Sequence, residues 1–343
     1  MFVTKNISFP ALFRFTGHHV IWLTVWASLS VVFYHWAGDR WVSIPWLPIS
    51  VIGTAVAFYV GFKNNSAYDR LWEARKIWGG IVNSSRSWGA AVRAFVTDHY
   101  AEASDAELRH AHKRLIHRHI AWLYVLRAQL LVPTGWEHIS QRFFIARHAR
   151  MVQKEYGLGT VEDKVTERAV EQYLPADELR RIAAQKNIAT QLVDWQAQDL
   201  KELSKRRLID DFRHVELQRI LQDFYTLQGQ CERIKKFPLP RQYAGMSFIF
   251  VGIFIFLLPL GMVSEFDKLG PWGALLSVPF TVIVGWVYVS MEIVGDYSEN
   301  PFEGLGNDIP MLSLCRTIEI DLLQMTGETE LPPPIEPKRG VLM

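Results

Sequence analysis

Residues 48–75 read PISVIGTAVAFYVGFKNNSAYDRLWEAR, an apolar run of membrane length that passes without interruption into a polar, charged segment. Gly53, Ala57 and Gly61 recur at i, i+4 and i+8; Thr54, Phe58 and Phe62 recur at the same interval, one position on. On a helix each set lies along one face, and the two faces are about 100° apart. Small residues at every fourth position let membrane helices approach closely. The second stripe is then free to face a shared axis, as in a pore. It suits a face turned to lipid or core equally well.

The rest of the chain supports a membrane setting. Its 49% hydrophobic and 21% charged residues are segregated, with apolar residues towards the two ends and charges in the middle. Four runs come near the ~20 residues a bilayer requires: Val20–Trp36, Ile44–Phe62, Tyr243–Val263 and Trp272–Val294. The third contains no charge, and the fourth is interrupted late by Glu292. Trp22, Trp26, Tyr34 and Trp36 suit interface anchors of the first. A net charge of +2 gives no case for nucleic acid. Cys231 and Cys315 have no metal-like spacing and suit reduced cytosolic thiols. The pattern around Lys5 and Arg14 predicts no cleavable leader.

Basic residues beside the spans set the orientation. Lys63, Arg70, Arg75 and Lys76 follow the second span, and Arg233, Lys235, Lys236 and Arg241 precede the third. The opposite loops offer only Asp39 and Arg40, then Glu265, Asp267 and Lys268. The positive-inside rule therefore puts both termini and the large middle region in the cytoplasm, with the chain in the inner (plasma) membrane. The expected division is 1–62 for the N-terminal segment and first two spans, 63–242 for a helical cytoplasmic domain, 243–294 for the last two spans, and 295–343 for a cytoplasmic C-terminal segment.

Within the middle region, Asp105-Ala-Glu-Leu begins a helix with an acidic first turn, as the dipole favours. Ile120, Trp122, Leu123, Val125, Leu126 and Leu130 predict a buried helix. Polar Val152–Gln172 predicts a peripheral insertion. Apolar positions from Leu208 to Leu227 predict an amphipathic helix over Leu203–Ile234, stopped by Pro238 and Pro240. The tail Pro332–Pro337 predicts an extended, poorly ordered segment.

Few residues suggest chemistry. His110, His112, His117 and His119 lack the i, i+3 or i, i+4 spacing of a helical metal pair, and Arg109, Lys113, Arg114 and Arg118 interleave them, so a basic face is expected. No phosphate loop, dinucleotide fingerprint, nucleophile elbow or zinc-protease motif is present, and no enzyme activity or cofactor is expected. Glu292 is a functional candidate by its place in an apolar run, but Asp296 one turn later favours an interfacial site with an arginine partner. Asp69 and Glu73 share a face and would concentrate cations in a vestibule, or else pair with Arg70, Lys76 or Arg233.

Three ordered motifs resemble the bacterial branch of the bestrophin channels. They are the run Gly61–Arg75 with Trp78-Gly79, then Cys231-Glu-Arg-Ile234 followed by Pro238-Leu-Pro240, then Glu299-Asn-Pro-Phe302. The resemblance covers roughly Phe9 to Leu323. It implies an all-α membrane protein with four transmembrane helices and a helical cytoplasmic domain, assembled as a homopentamer around a central pore that passes monovalent ions. The family's hydrophobic neck falls by position on Thr54, Phe58 and Phe62; an aliphatic residue usually stands where Thr54 does, and a hydroxyl there would widen or wet the neck. A second, cytosolic constriction would fall near Val215. Animal bestrophins bind calcium through acids just after Asn-Pro-Phe, whereas Glu303–Asp308 here is depleted in acids, so no tight calcium activation is expected. Animal members chiefly pass chloride and bacterial relatives can favour monovalent cations. The competing expectation is a membrane-anchored interaction or signalling module without a pore, which a monomer in mild detergent would favour.

Overall fold

A computed structural model of the chain describes residues 1–5, 9–37, 44–141, 143–156, 164–182 and 184–343. Asp39 and Arg40, expected in the first outer loop, lie outside these residues. In chain order the helices are α1 (Phe9–Leu12), α2 (His18–Ala37), α3 (Trp46–Phe95), α4 (Asp105–Leu131), α5 (Phe143–Tyr156), α6 (Val165–Tyr173), α7 (Ala176–Ile182), α8 (Ile188–Lys205), α9 (Asp211–Lys236), α10 (Arg241–Asp267), α11 (Gly273–Asp296) and α12 (Met311–Met325). A π-helical turn, Phe13–Gly17, leads into α2. No strand occurs among the described residues; only isolated bridges do. The protein is thus all-α.

The chain forms two compact units, residues 4–70 with 238–300, and residues 1–3 with 71–237 and 301–343. The first holds four helices long and apolar enough to cross a membrane, α2 with its π turn, the start of α3, α10 and α11. Leu23, Ile49, Val56, Val60, Phe254 and Leu258 form its core. Small residues permit the close packing: a Cβ on Gly53 would lie 2.7 Å from the Phe254 ring, and one on Gly285 2.9 Å from Leu23. Gly270, at φ +113, turns the chain between α10 and α11 in a conformation that other residues resist. Outward-facing Ile21, Val25, Leu29, Phe248, Ile253 and Ile283 remain 47–72% exposed, as lipid-facing side chains would be in a bilayer.

The second unit is built around α4. Ser104 caps it: its hydroxyl accepts from the Glu107 amide while the Glu107 side chain accepts from the Ser104 amide. Downstream of Leu115 the helix is buried on nearly every side, including Ile116, Ile120, Trp122, Leu123 and Leu126. Trp88, His119, Trp122 and Phe224 stack into one aromatic cluster with ring centroids 4.3–6.1 Å apart. Arg118 reaches Glu178, the Trp195 carbonyl and Asp199 in a buried charge network.

Three expectations are corrected here. The amphipathic helix begins at Asp211 rather than Leu203, because Asp210 accepts from the Phe212 and Arg213 amides and Arg207 adopts φ 57, separating α8 from α9. The second half of Val152–Gln172 is no peripheral insertion: α6 packs on α4 with Ala169 buried, while 157–163 lie outside the described residues. The Pro-rich tail is extended but docked, with the Pro333 carbonyl accepting from Arg316. Beyond it the Gly340 and Leu342 carbonyls accept from Val3 and the Met1 amine, and Val341 is buried.

Candidate functional site

Residues 48–75 lie on α3, a helix of 50 residues. Successive residues on it turn about 100°, so Thr54, Phe58, Phe62, Asn65 and Asp69 fall within roughly 40° of one line. All five are exposed, and Phe58 and Phe62 are 67% and 70% accessible. Between them Val56, Val60, Lys63 and Ala67 are buried on the opposite face. One side of this stretch of α3 is therefore packed, and the other carries two phenyl rings with no cover from their own chain. The Thr54 hydroxyl spends its proton on the Ser50 carbonyl of its own helix, at 2.9 Å. Its donor is thus turned back along the backbone. The small stripe behaves unevenly: Gly53 is pressed against Phe254 and Tyr288, whereas a Cβ on Gly61 would meet nothing within 4 Å.

Directly behind the exposed stripe is a polar seat. The Lys63 ammonium donates to Glu292 on α11, and the same carboxylate accepts from Ser247 on α10. All three are buried. Asn64 donates 3.0 Å to the Met291 carbonyl. The arginine partner expected for Glu292 is corrected to Lys63. The sequence shows Lys63 only as part of the positive flank, because nothing local announces a partner 229 residues away.

The family is decided by the match of its sequence model. Residues 16–324 fit the model described as Bacterial/Fungal Bestrophin protein. The chain belongs to the bacterial and fungal bestrophin family. Curated relatives include the "Voltage-dependent anion channel-forming protein YneE" of Escherichia coli K12, 26% identical over 313 residues, covering 91% of this chain and 87% of that protein. The "Voltage-dependent anion channel-forming protein mll4386" of Mesorhizobium japonicum is 28% identical over 291 residues, covering 84% and 77%. The crystal structure of a bacterial bestrophin homolog from Klebsiella pneumoniae superposes with a TM-score of 0.74 at 20% identity, over 91% of this chain and 99% of that one. That likeness concerns the fold.

Asp69 is exposed. Glu73 forms an ion pair with Arg233 of α9 at 2.7 Å, one of the partners expected for it. Val215, on the second turn of α9, is 52% exposed and flanks a shallow pocket with His214, Gln218, Arg219 and Gln222. Glu303 accepts from the His138 amide and faces His138 Nδ1 at 2.8 Å. Asp308 accepts from the Phe302, Gly304 and Ile309 amides. Burial pushes the Asp308 carboxyl up, against those three amides. The histidines on α4 disperse: His112 meets the Val96 carbonyl, His119 meets Ser85, and His117 lies edge-on to Tyr173. No metal-holding group of three His, Cys, Asp or Glu occurs among the described residues.

Proposed function

We propose that this bestrophin is a passive, pentameric anion channel of the inner membrane. Its neck is Thr54, Phe58 and Phe62, and its cytosolic aperture is at Val215. The observation that carries the reading is the exposed Phe58–Phe62 stripe on a helix whose opposite face is packed. Five copies of that stripe around one axis give a constriction that conducts when wet and closes by dewetting. Uncovered Gly61 supports close approach by a neighbouring copy, since a small residue lets helix backbones meet. The names of the curated relatives support an anion as the permeant species. No catalytic step or cofactor enters this mechanism.

In this reading residues 1–62 and 243–294 carry the spans, 63–242 and 295–343 are cytoplasmic, and both termini face the cytoplasm. Glu303 and Asp308 are already engaged by His138 and backbone amides, which supports the absence of tight calcium activation. One observation favours a competing, cation-preferring pore: Asp69 lies on the neck face two turns beyond Phe62 and is exposed. A ring of such carboxylates would attract cations.

The test is the mass of the detergent-solubilised particle, followed by its current in planar bilayers across a KCl gradient. Five times the 39.6 kDa of one chain, with reversal near the chloride potential, is the expected result. Reversal near the potassium potential would favour the Asp69 reading. A monomer without current would overturn the channel.

A further inference from the structure

Lys63 follows Phe62 by one residue, so the two side chains leave α3 about 100° apart. Phe62 is 70% exposed, whereas the Lys63 side chain is only 1% exposed. The cation is held inside by Glu292, whose second oxygen accepts from Ser247. The next residue repeats the keying: Asn64 donates to the Met291 carbonyl, and Gly295 is needed to admit it, because a Cβ there would come within 1.9 Å of Asn64 Oδ1. At two successive positions α3 is therefore fitted to α11 in a single rotational setting.

A buried ion pair is an expensive way to hold two helices together, since well-packed apolar side chains of similar size often do as well or better. What the pair adds is a choice of direction for the lysine. A lysine stem can lie along apolar surface and carry its ammonium to the nearest water. Deprived of a partner, that ammonium cannot remain in an apolar interior. One route out leads round the helix, about 100°, to the open face beside Phe62.

We propose that Lys63 and Glu292, completed by Ser247, form a register lock that keeps a cation off the open face beside Phe62. The proposal rests on the reading of that face as the pore lining. Its consequence is asymmetric. Neutralising Glu292 releases five ammonium groups towards the neck, which wets it and attracts anions. Replacing Lys63 as well removes the cation that would be released, so the neck keeps its original character.

The experiment compares wild type, Glu292→Gln, the double variant Lys63→Met/Glu292→Gln, and Phe58→Ala/Phe62→Ala as purified full-length protein in planar bilayers under a KCl gradient. The expected result is a chloride-to-potassium permeability ratio raised about threefold or more in Glu292→Gln, and a double variant that matches wild type. Glu292→Gln and the double variant sharing one ratio, while Phe58→Ala/Phe62→Ala changes the conductance, would overturn the lock alone. An unchanged conductance in Phe58→Ala/Phe62→Ala would overturn the pore-face reading and the lock with it. Should Glu292→Gln fail to assemble, the charge swap Lys63→Glu/Glu292→Lys decides: assembly with wild-type permeability supports the pair, and failure to assemble overturns it.

Discussion

Glu73 and Arg233 join α3 to α9 through an ion pair of 2.7 Å whose side chains are 44% and 65% exposed. Solvent screens such a pair, so its worth is below about 1 kcal/mol. In the proposed pore, the Arg233 charge would offset that of Glu73, whereas Asp69 is exposed on the neck face. The double variant Glu73→Gln/Arg233→Gln, which keeps the local net charge at zero, is expected to shift the urea midpoint slightly and leave the reversal potential unmoved. Asp69→Asn is expected to shift the reversal potential towards chloride. Equal shifts from both variants would show that the ion pair does not neutralise Glu73. The Asp69 effect should shrink in 1 M salt, where the Debye length falls to ~3 Å.

Both cysteines are buried, and burial raises their thiol pKa values, that of Cys315 to about 12. The thiolate is the reactive form, so neither should react in the folded protein. Maleimide is expected to label no thiol in native detergent-solubilised protein and two after denaturation. Rapid labelling of the native protein would contradict the packing around α4, α9 and α12. The expected silence also makes single-cysteine probes on α3 practicable.

Much of the fold was legible because membrane spans announce themselves locally. A charge-free run such as Tyr243–Val263 needs no partner to be recognised, and the capping residues of α4 stand within four positions of one another. The misread positions depend on contacts remote in sequence. Lys63 looked like a flanking charge because its partner lies on α11, and Glu292 was assigned an arginine for the same reason. Which cation pairs with Glu73 depends on how α9 lies against α3. The start of α9 was missed for a local reason: Asp210 is an N-cap, but apolar Leu208 continues the helical periodicity through the break. The exposed face of Thr54, Phe58 and Phe62 was visible as a stripe, though the sequence left open which surroundings it meets.

His119 provides a test of the second unit by pH. Burial lowers its pKa to about 3 from an ordinary 6.5, and no acid opposes the shift. Between those values the unfolded chain binds a proton that the folded chain refuses, so stability rises with pH and is complete above about 6.5. Acidification from pH 7 to 5 should therefore cost about 2 kcal/mol through this group. His117, lowered chiefly by burial to about 4, acts in the same direction. His119→Gln is expected to show a smaller loss between pH 7 and 5 than wild type in urea unfolding. An identical loss in both would mean that the imidazole is accessible to protons in the folded protein.

Gly61 separates packing within the chain from packing between copies. Gly53→Leu should destabilise the chain itself, because the new side chain collides with Phe254. Gly61→Leu meets open space within the chain. It is expected to leave helicity intact and weaken the oligomer, read as particle mass in detergent. An oligomer unaffected by Gly61→Leu would show that this stripe is not a subunit contact.

The most direct measurement is the single-channel conductance of reconstituted protein with and without Phe58→Ala/Phe62→Ala. The dewetting-neck account predicts that removing the phenyl rings raises basal conductance several-fold, because a wider and less apolar constriction stays wet. Identical conductance and open probability in wild type and variant, from oligomers of equal mass, would contradict it.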